Sequence, residues 1–174
     1  GIRRGNAHLA RFQLDRHEIV DTALQALAFH YGSVVLQAGE RTDARFIDDI
    51  AEAVAEIKSA SAGRLGITLS LGEQEKSVYQ TWFAAGAHRY LLRIEASNPK
   101  LYARLHPADH SHAARLQCLA LLRECGYQVG TGVMSGLPTQ TLADLWGDIR
   151  FFRDCDVDMI GMGPYLLHHD TPMA

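Results

Sequence analysis

Cysteine is scarce in this sequence, with three residues in a chain of 174: Cys118, Cys125 and Cys155. No two of them have the CxxC spacing and no run has the CxxxCxxC spacing, so we expect no compact thiolate set for a metal or a cluster. An odd, sparse set also argues against a disulfide framework and fits a reducing compartment, which predicts a cytoplasmic protein. Cys118 and Cys125 share a face of one predicted helix, and we expect both to be buried as small hydrophobic side chains.

A charge excess of one sign and long apolar runs are also missing. The formal net charge is -3, which gives no electrostatic basis for binding nucleic acid or an anionic membrane surface. No apolar run approaches the roughly 18 residues of a membrane-spanning helix, and no signal peptide opens the sequence. We therefore expect neither nucleic acid nor a membrane among the partners.

Short predicted strands, the first of them a β-branched run, alternate along the chain with predicted helices, and a capping box formed by Asp15 and Glu18 opens the first helix. The predicted strands cover residues 33–37, 65–70, 90–95, 127–134 and 158–162. The predicted helices cover about 16–31, 42–60, 73–85, 111–125 and 139–153, with a short helix opened by Asn98 and Pro99. Such alternation argues for a parallel sheet with right-handed crossovers.

Polar side chains near the ends of the strands favour a barrel over an open doubly wound sheet, because such residues point into the mouth of a barrel, where its active sites lie. The residues concerned are Gln37, Thr68, Ser70, Arg93 and Glu95. An open dinucleotide-binding sheet would carry a glycine-rich turn after a strand, but Gly130 and Gly132 lie within a strand and lack a third glycine. We predict an α/β fold, a partial parallel (β/α) barrel with about five strands visible.

The length falls short of a closed barrel, with 174 residues against the ~250 residues of a complete one. The sequence begins at Gly1 without a methionine, in a polar turn-like segment, and ends at Ala174, soon after Asp170. We expect residues 1–174 to form a single incomplete barrel domain, which would be a fragment of a larger chain.

Two inward-facing pairs are candidates for chemistry. Arg93 and Glu95 lie two apart on one predicted strand, so their side chains share a face. A charged pair on an apolar inner strand is costly unless it is paired or liganded; it is either an internal salt bridge or an anion clamp beside a carboxylate acceptor. Thr68 and Ser70 share a face of the preceding strand, as core hydroxyls or as part of the same site.

Three loops after predicted strands carry further signals. Ala38-Gly39-Glu40 follows the first strand, where a glycine lets the backbone approach a ligand, although a plain turn remains the alternative. The glycines and proline between Gly132 and Gln140 suggest a flat group packed against the main chain. His168, His169 and Asp170 are consecutive, and the sequence shows no further ligand at a suitable spacing from them. We therefore predict no metal site there.

Five segments together resemble the radical S-adenosylmethionine enzymes, and among them the maturases of [FeFe]-hydrogenase. The resemblance covers essentially the whole chain in order, and its segments are specific together rather than singly. They are Val35 to Glu40, Ile67 to Glu73, Arg89 to Glu95, Gly132 to Thr141 and Gly161 to Pro172. Leu167 and His169 stand where the last segment commonly has prolines, while its histidine is retained as His168.

The resemblance implies two cofactors, S-adenosylmethionine and a [4Fe–4S] cluster. Such enzymes hold the cluster on a CxxxCxxC loop just before the first barrel helix, and Gly1 to Arg3 looks like the segment directly after that loop. The cluster ligands would then lie upstream of Gly1. The implied activity is cleavage of S-adenosylmethionine to a 5′-deoxyadenosyl radical, used to assemble the diiron subsite of the hydrogenase. The implied partners are an electron donor, other hydrogenase maturases and a small anionic, cysteine-derived or iron-bound substrate.

Site roles also come from the resemblance, residue by residue. S-adenosylmethionine would be bound by Ala38, Gly39, Glu40, Glu95, Arg115, Met134 and Gly136. Within that set Arg115 would grip the methionine carboxylate, and otherwise it is a solvated helix residue. Ala38 stands where the family usually has serine or glycine, so only a backbone contact would survive there. Thr68 and Arg93 would form a deeper site for an anion or a substrate carboxylate.

Two alternatives stay open at the level of sequence. A radical mutase of the methylornithine synthase type shares the barrel and much of the pattern. A non-catalytic barrel without a cluster suits the literal chain, because the chain has no cluster cysteines.

Overall fold

The computed structural model describes residues 6–170, so the predictions that concern Gly1 to Arg3 and the residues after Asp170 lie outside the described part. Helices and strands alternate along that part of the chain. The elements are α1 (Arg16–Ala28), β1 (Ser33–Gln37), α2 (Ala44–Ala60), β2 (Gly66–Ser70), α3 (Lys76–Ala85), β3 (Arg89–Leu91), α4 (Pro99–Leu105), α5 (His112–Glu124), β4 (Gln128–Ser135), α6 (Leu142–Asp154) and β5 (Met159–Pro164).

The five strands form one parallel sheet in the sequential order β1-β2-β3-β4-β5. Strand β1 shows which face the helices cover, because Val34 and Leu36 pack against the hydrophobic core whereas Val35 is 55% exposed on the opposite face. Sequential parallel strands with helices packed on one face form part of a (β/α) barrel. The predicted partial barrel is therefore confirmed.

Strand β3 is shorter than predicted, because regular pairing ends at Leu91 rather than near Glu95. Leu91 lies opposite Gly130, whereas Glu95 bridges to Val133, so four steps along one strand face three along the other. Such an extra residue is a bulge, which redirects the side chains that follow it. The buried hydroxyl of Thr131 fills the gap, accepting from the N–H of residue 94 at 3.0 Å and donating to the carbonyl of residue 92 at 2.8 Å.

Helix starts follow their capping residues rather than the hydrophobic pattern alone. The predicted capping box is confirmed, with Asp15 as N-cap of α1 and Glu18 returning its side chain to the cap backbone. Helix α6 begins at Leu142, three residues later than predicted, because Thr141 and Asp144 form a second capping box. None of the helices in residues 6–170 is both long and apolar enough to cross a bilayer.

Buried tyrosines hold the loop after β2 in place. The hydroxyl of Tyr90 donates to the carbonyl of Gly72 at 2.9 Å, and the hydroxyl of Tyr79 accepts from the N–H of Gln74 at 3.0 Å. Burial raises the pKa of both phenols, so they remain neutral hydrogen-bonding groups. These contacts fix the backbone on both sides of Glu73, whose side chain reaches the candidate site.

Candidate functional site

The candidate site lies at the carboxyl ends of the strands, where the loops after β1, β2 and β3 meet the amino-terminal half of α5. Its centre is Arg115, which is 9% exposed. The Nε atom of Arg115 lies 2.7 Å from Oε1 of Glu73, and its Nη2 atom donates to Oε1 of Glu40 at 3.3 Å. The alternative of a solvated helix residue is therefore wrong, because Arg115 is a buried cation held between two carboxylates.

Glycine at position 72 makes room for one of those carboxylates. Gly72 has φ of +79°, and a Cβ there would lie 1.9 Å from Cγ of Glu40. The Glu40 side chain thus crosses the end of β2, where Oε1 also accepts from the backbone N–H of Glu73 at 3.4 Å. The glycine is required both for its backbone conformation and for the space that Glu40 occupies.

Within the site, Arg115 and Tyr102 influence each other's pKa values. Burial disfavours the charged guanidinium of Arg115, but Glu73, Tyr102 and Glu40 outweigh it and raise the pKa of Arg115 further above its ordinary value. Burial also raises the pKa of Tyr102, against the opposing effect of Arg115. On the solvent side, Nε2 of His110 lies 3.6 Å from Oε2 of Glu40. A cation flanked by carboxylates complements a ligand that carries both an ammonium and a carboxylate group.

Several polar atoms in this region are buried without a hydrogen-bond partner. They are Glu73 Oε1, Tyr102 Oη, Arg115 Nε and Glu95 Oε2. The close approach of Arg115 Nε to Glu73 Oε1 is an ion pair whose angle does not make a hydrogen bond. Glu73 and Arg115 are thus paired by charge, and Tyr102 interacts with Arg115. Buried polar groups are normally satisfied, so Glu95 Oε2 is the atom of these four for which a ligand can supply the missing partner.

Arg93 and Glu95 form the salt bridge that the sequence offered as one reading of this pair. The Nε atom of Arg93 donates to Oε1 of Glu95 at 3.0 Å, and its Nη2 donates to the carbonyl oxygen of Val133 at 2.9 Å. Glu95 adopts φ of +63°, at the point where β3 rejoins β4 after the bulge. The salt bridge uses Oε1 and leaves Oε2 of Glu95 for a ligand. The hypothesis of an internal salt bridge and the hypothesis of a ligand-binding residue are therefore compatible.

Thr68 and Arg93 lie at different levels of the inner face. Thr68 pairs in register with Arg89, which is four residues earlier on its strand than Arg93. The guanidinium of Arg89 also crosses Gly66, where a Cβ would lie 1.9 Å from Nη2 of Arg89. The structure therefore brings Thr68 next to Arg89, whereas Arg93 is engaged with Glu95 and β4.

The loop after β4 is held by one side chain. Oε1 of Gln140 accepts from the N–H groups of Gly136 and Leu137 at 2.7 and 3.1 Å, and its Nε2 donates to the carbonyl of Met134 at 2.9 Å. Gly136 has φ of +81° and is exposed, whereas Met134 is half-buried at the strand end. By holding this loop, Gln140 keeps the backbone of Gly136 and the thioether of Met134 at the mouth of the sheet. These contacts explain why a glutamine follows the glycine-rich segment.

The loop after β1 is the most open part of the site. Ala38 and Gly39 are exposed, and a Cβ at Gly39 would meet no heavy atom within 4 Å. The N–H of Ala38 donates to the carbonyl of Ser70 at 3.3 Å, which continues the pairing of β1 with β2. The backbone beyond Ala38 therefore faces open space beside Glu40.

Sequence reasoning missed Glu73, Tyr102 and His110 as members of the site. One signal was available, because a Gly-Glu pair follows both β1 and β2 at the same position relative to the strand end. Parallel strands bring their carboxyl ends together, so the two glutamates would be expected to meet. No comparable signal marks Tyr102 and His110, which reach the site from α4 and from the loop between α4 and α5.

The described residues fit S-adenosylmethionine better than they fit an iron–sulfur cluster. A buried arginine with flanking carboxylates fits the amino-acid part of S-adenosylmethionine. The thiols do not form a cluster site, because Cys118 is buried in α5, Cys125 caps the same helix and Cys155 is exposed at the end of α6. Seven residues of helix separate the first two by about 10 Å.

The chain belongs to the radical S-adenosylmethionine superfamily, because the model of the Radical SAM superfamily matches residues 4–152. Members of this superfamily in general use S-adenosylmethionine and a [4Fe–4S] cluster. The chain is 45% identical over 175 aligned positions to the [FeFe] hydrogenase maturase subunit HydE of Thermotoga maritima. That alignment covers 100% of this chain and 49% of the relative, so the chain spans about half the length of that protein.

Solved structures agree on the fold. The crystal structure of methylornithine synthase (PylB) superposes with a TM-score of 0.81 at 22% identity, over 95% of this chain and 48% of that one. The hydrogenase maturase HydG of Carboxydothermus hydrogenoformans superposes with a TM-score of 0.77 at 22% identity, over 93% and 39%. At these identities the likeness concerns the barrel fold alone.

Proposed function

We propose that the protein of which this sequence forms part is a radical S-adenosylmethionine enzyme that acts in assembly of the diiron subsite of [FeFe]-hydrogenase. The observation that carries the proposal is the cluster of Arg115, Glu73 and Glu40 at the strand ends, in a chain of this superfamily. The similarity to HydE over the whole chain favours hydrogenase maturation over a methylornithine synthase type of mutase, whose solved representative shares only the fold.

The proposed binding site takes the methionine part of S-adenosylmethionine at its charged end. Arg115 holds the carboxylate, while Glu40 and the open backbone of Ala38 and Gly39 receive the ammonium group. Glu40 lies within 3.3 Å of the guanidinium and is partly exposed, which supports both contacts. Since Ala38 has no hydroxyl, its contact is through the backbone only.

The nucleoside part takes the other end of the site. Glu95 accepts from ribose hydroxyls or an amino group through Oε2, which is buried and has no hydrogen-bond partner. The adenine packs on Met134 and on the exposed backbone at Gly136, which Gln140 holds in place. When bound, a reduced [4Fe–4S] cluster supplies the electron that cleaves the C–S bond. In this proposal the cluster ligands lie upstream of Gly1, and the chain's own residues bind and orient the cofactor.

The proposed substrate is a small anionic, cysteine-derived or iron-bound ligand, and the proposed partners are an electron donor and the other hydrogenase maturases. Thr68 and Arg93 are the residues proposed to bind the anionic group. Arg89, which lies level with Thr68 on the inner face, adds positive charge to that region and supports an anionic ligand there. A guanidinium suits a carboxylate because it donates two parallel hydrogen bonds.

The change Arg93→Lys tests the substrate proposal in the complete protein. Arg93 donates to Glu95 through Nε and to Val133 through Nη2, and a lysine ammonium cannot reproduce that planar geometry. We expect ligand-stimulated cleavage of S-adenosylmethionine to fall by about tenfold or more, which corresponds to one charge-assisted hydrogen bond. The measurement is formation of 5′-deoxyadenosine with and without candidate ligands such as cysteine.

The matched control for this experiment is Arg45→Lys, since the Arg45 side chain is 91% exposed on α2. It should keep full ligand stimulation. If Arg93→Lys also keeps full stimulation, Arg93 is only the salt-bridge partner of Glu95, and the substrate site lies elsewhere in the barrel.

A further inference from the structure

Two distant segments meet at one carboxylate beyond the end of β5. Nδ1 of His8 lies 3.3 Å from Oδ1 of Asp170, and Nε2 of His169 lies 3.6 Å from the same oxygen. Nδ1 of His168 accepts from the backbone N–H of Asp170 at 3.1 Å, and the ligand atoms of His168, His169 and Asp170 all lie within 4.8 Å of one another. The sequence lacked a spaced ligand for this cluster, and the fold supplies one in His8, 162 residues from Asp170.

A buried asparagine orients both sides of this cluster. Asn6 is 7% exposed, and its Nδ2 donates to Oδ2 of Asp170 at 3.4 Å. Its Oδ1 accepts from the backbone N–H of His8 at 2.9 Å. One carboxylate oxygen is thus occupied by Asn6, and the other faces the imidazoles. Hydrogen bonds from residues that contact a ligand side chain, but not the metal, fix the orientation of metal-binding carboxylates.

The two separations measured from Asp170 suit a tetrahedral ion. Ligand atoms about 2.0–2.1 Å from a tetrahedral zinc ion lie about 3.3 Å from one another, which matches the distances of 3.3 and 3.6 Å from Asp170 to the two histidines. Imidazole with a single carboxylate favours a divalent first-row metal over the hard ions magnesium and calcium. The His8 and His169 side chains are 81% and 85% exposed, so an ion can enter from solvent.

We propose that His8, His169 and Asp170, with His168 as the fourth ligand, form a surface site for a zinc-like divalent metal ion. The ion links the segment before α1, which precedes the first strand, to the loop after β5, the last strand described. The proposal of this site does not rest on the proposed radical chemistry.

Zinc binding by the complete protein under anaerobic conditions tests the proposal. Calorimetric titration with Zn²⁺ should show one site per chain that is weakened by about tenfold or more in His8→Ala, in His169→Ala and in Asn6→Ala. Zinc K-edge X-ray absorption should show nitrogen and oxygen ligands at about 2.0–2.1 Å, rather than sulfur at about 2.3 Å.

Two matched variants control for other ligands on the surface. His17→Ala removes an exposed imidazole on α1, and Cys155→Ser removes the exposed thiol; both should bind zinc as the wild type does. The proposal is overturned if the double variant His8→Ala/His169→Ala binds zinc with unchanged affinity and stoichiometry. It is equally overturned if the zinc ligands include sulfur that is lost in Cys155→Ser.

Discussion

Replacing Arg115 with alanine is expected to weaken binding of S-adenosylmethionine by the complete protein by roughly ten- to a hundred-fold. The lost contact is a charge-assisted pair with the methionine carboxylate, which contributes on the order of 1.5–3 kcal/mol. Arg115 is also the counterion of Glu73 and Glu40, so its removal leaves two carboxylates without their cation. The measurement is calorimetric titration with S-adenosylmethionine, accompanied by thermal unfolding of the same variant.

A companion variant separates binding from folding. Because a partly buried carboxylate such as Glu73 is costly without its counterion, Arg115→Ala should also lower the unfolding temperature, and Arg115→Ala/Glu73→Gln should recover part of that loss. The double variant should still bind S-adenosylmethionine weakly, since the guanidinium is absent. Arg45→Ala removes an exposed arginine and serves as the control. Unchanged affinity in a folded Arg115→Ala protein would remove Arg115 from the cofactor site.

The second large effect is expected from Gly132→Ala, which should destabilise the barrel. A Cβ at Gly132 would lie 2.0 Å from the carbonyl oxygen of Gly161 on the neighbouring strand. Gly132 and Gly161 are directly paired on neighbouring strands, so the strands must move apart to relieve the clash. Overpacking of this kind costs about 1–3 kcal/mol, and occasionally more. Denaturant unfolding compared with the wild type measures the loss.

Gly163→Ala is the matched control, because Gly163 lies on the same strand pair and a Cβ there would meet no heavy atom within 4 Å. It should change the free energy of unfolding by less than about 0.5–1 kcal/mol, the range expected where added atoms meet no neighbour. Equal losses in Gly132→Ala and Gly163→Ala would show that β4 and β5 are less closely packed than the geometry indicates.

The strands were predictable because each lies in a short segment between a helix stop and the next helix start. Their parallel order follows from regular alternation, since each crossover helix returns the chain to the same edge of the sheet. The bulge in β3 was not predictable, because it depends on the Thr131 hydroxyl bridging residues 92 and 94 across strands. No local pattern in the sequence reports a hydrogen bond between positions that far apart.

In the candidate site, too, some contacts could be predicted from the sequence and others could not. The pairing of Arg93 with Glu95 could be predicted from a spacing of two, since side chains two apart in an extended segment point the same way. The contact of Arg115 with Glu73 joins α5 to the loop after β2, and the contact of His8 with Asp170 spans nearly the whole chain. Such contacts follow from tertiary packing, so the residue types suggested a role while the partners became visible only in the fold.

The most direct measurement is reductive cleavage of S-adenosylmethionine by the complete protein, purified anaerobically and supplied with a strong one-electron reductant. We predict formation of 5′-deoxyadenosine and methionine, with strongly reduced formation in Arg115→Ala and wild-type formation in Arg45→Ala. Absence of 5′-deoxyadenosine from a folded protein that carries its full complement of iron and sulfide would contradict the proposed radical activity.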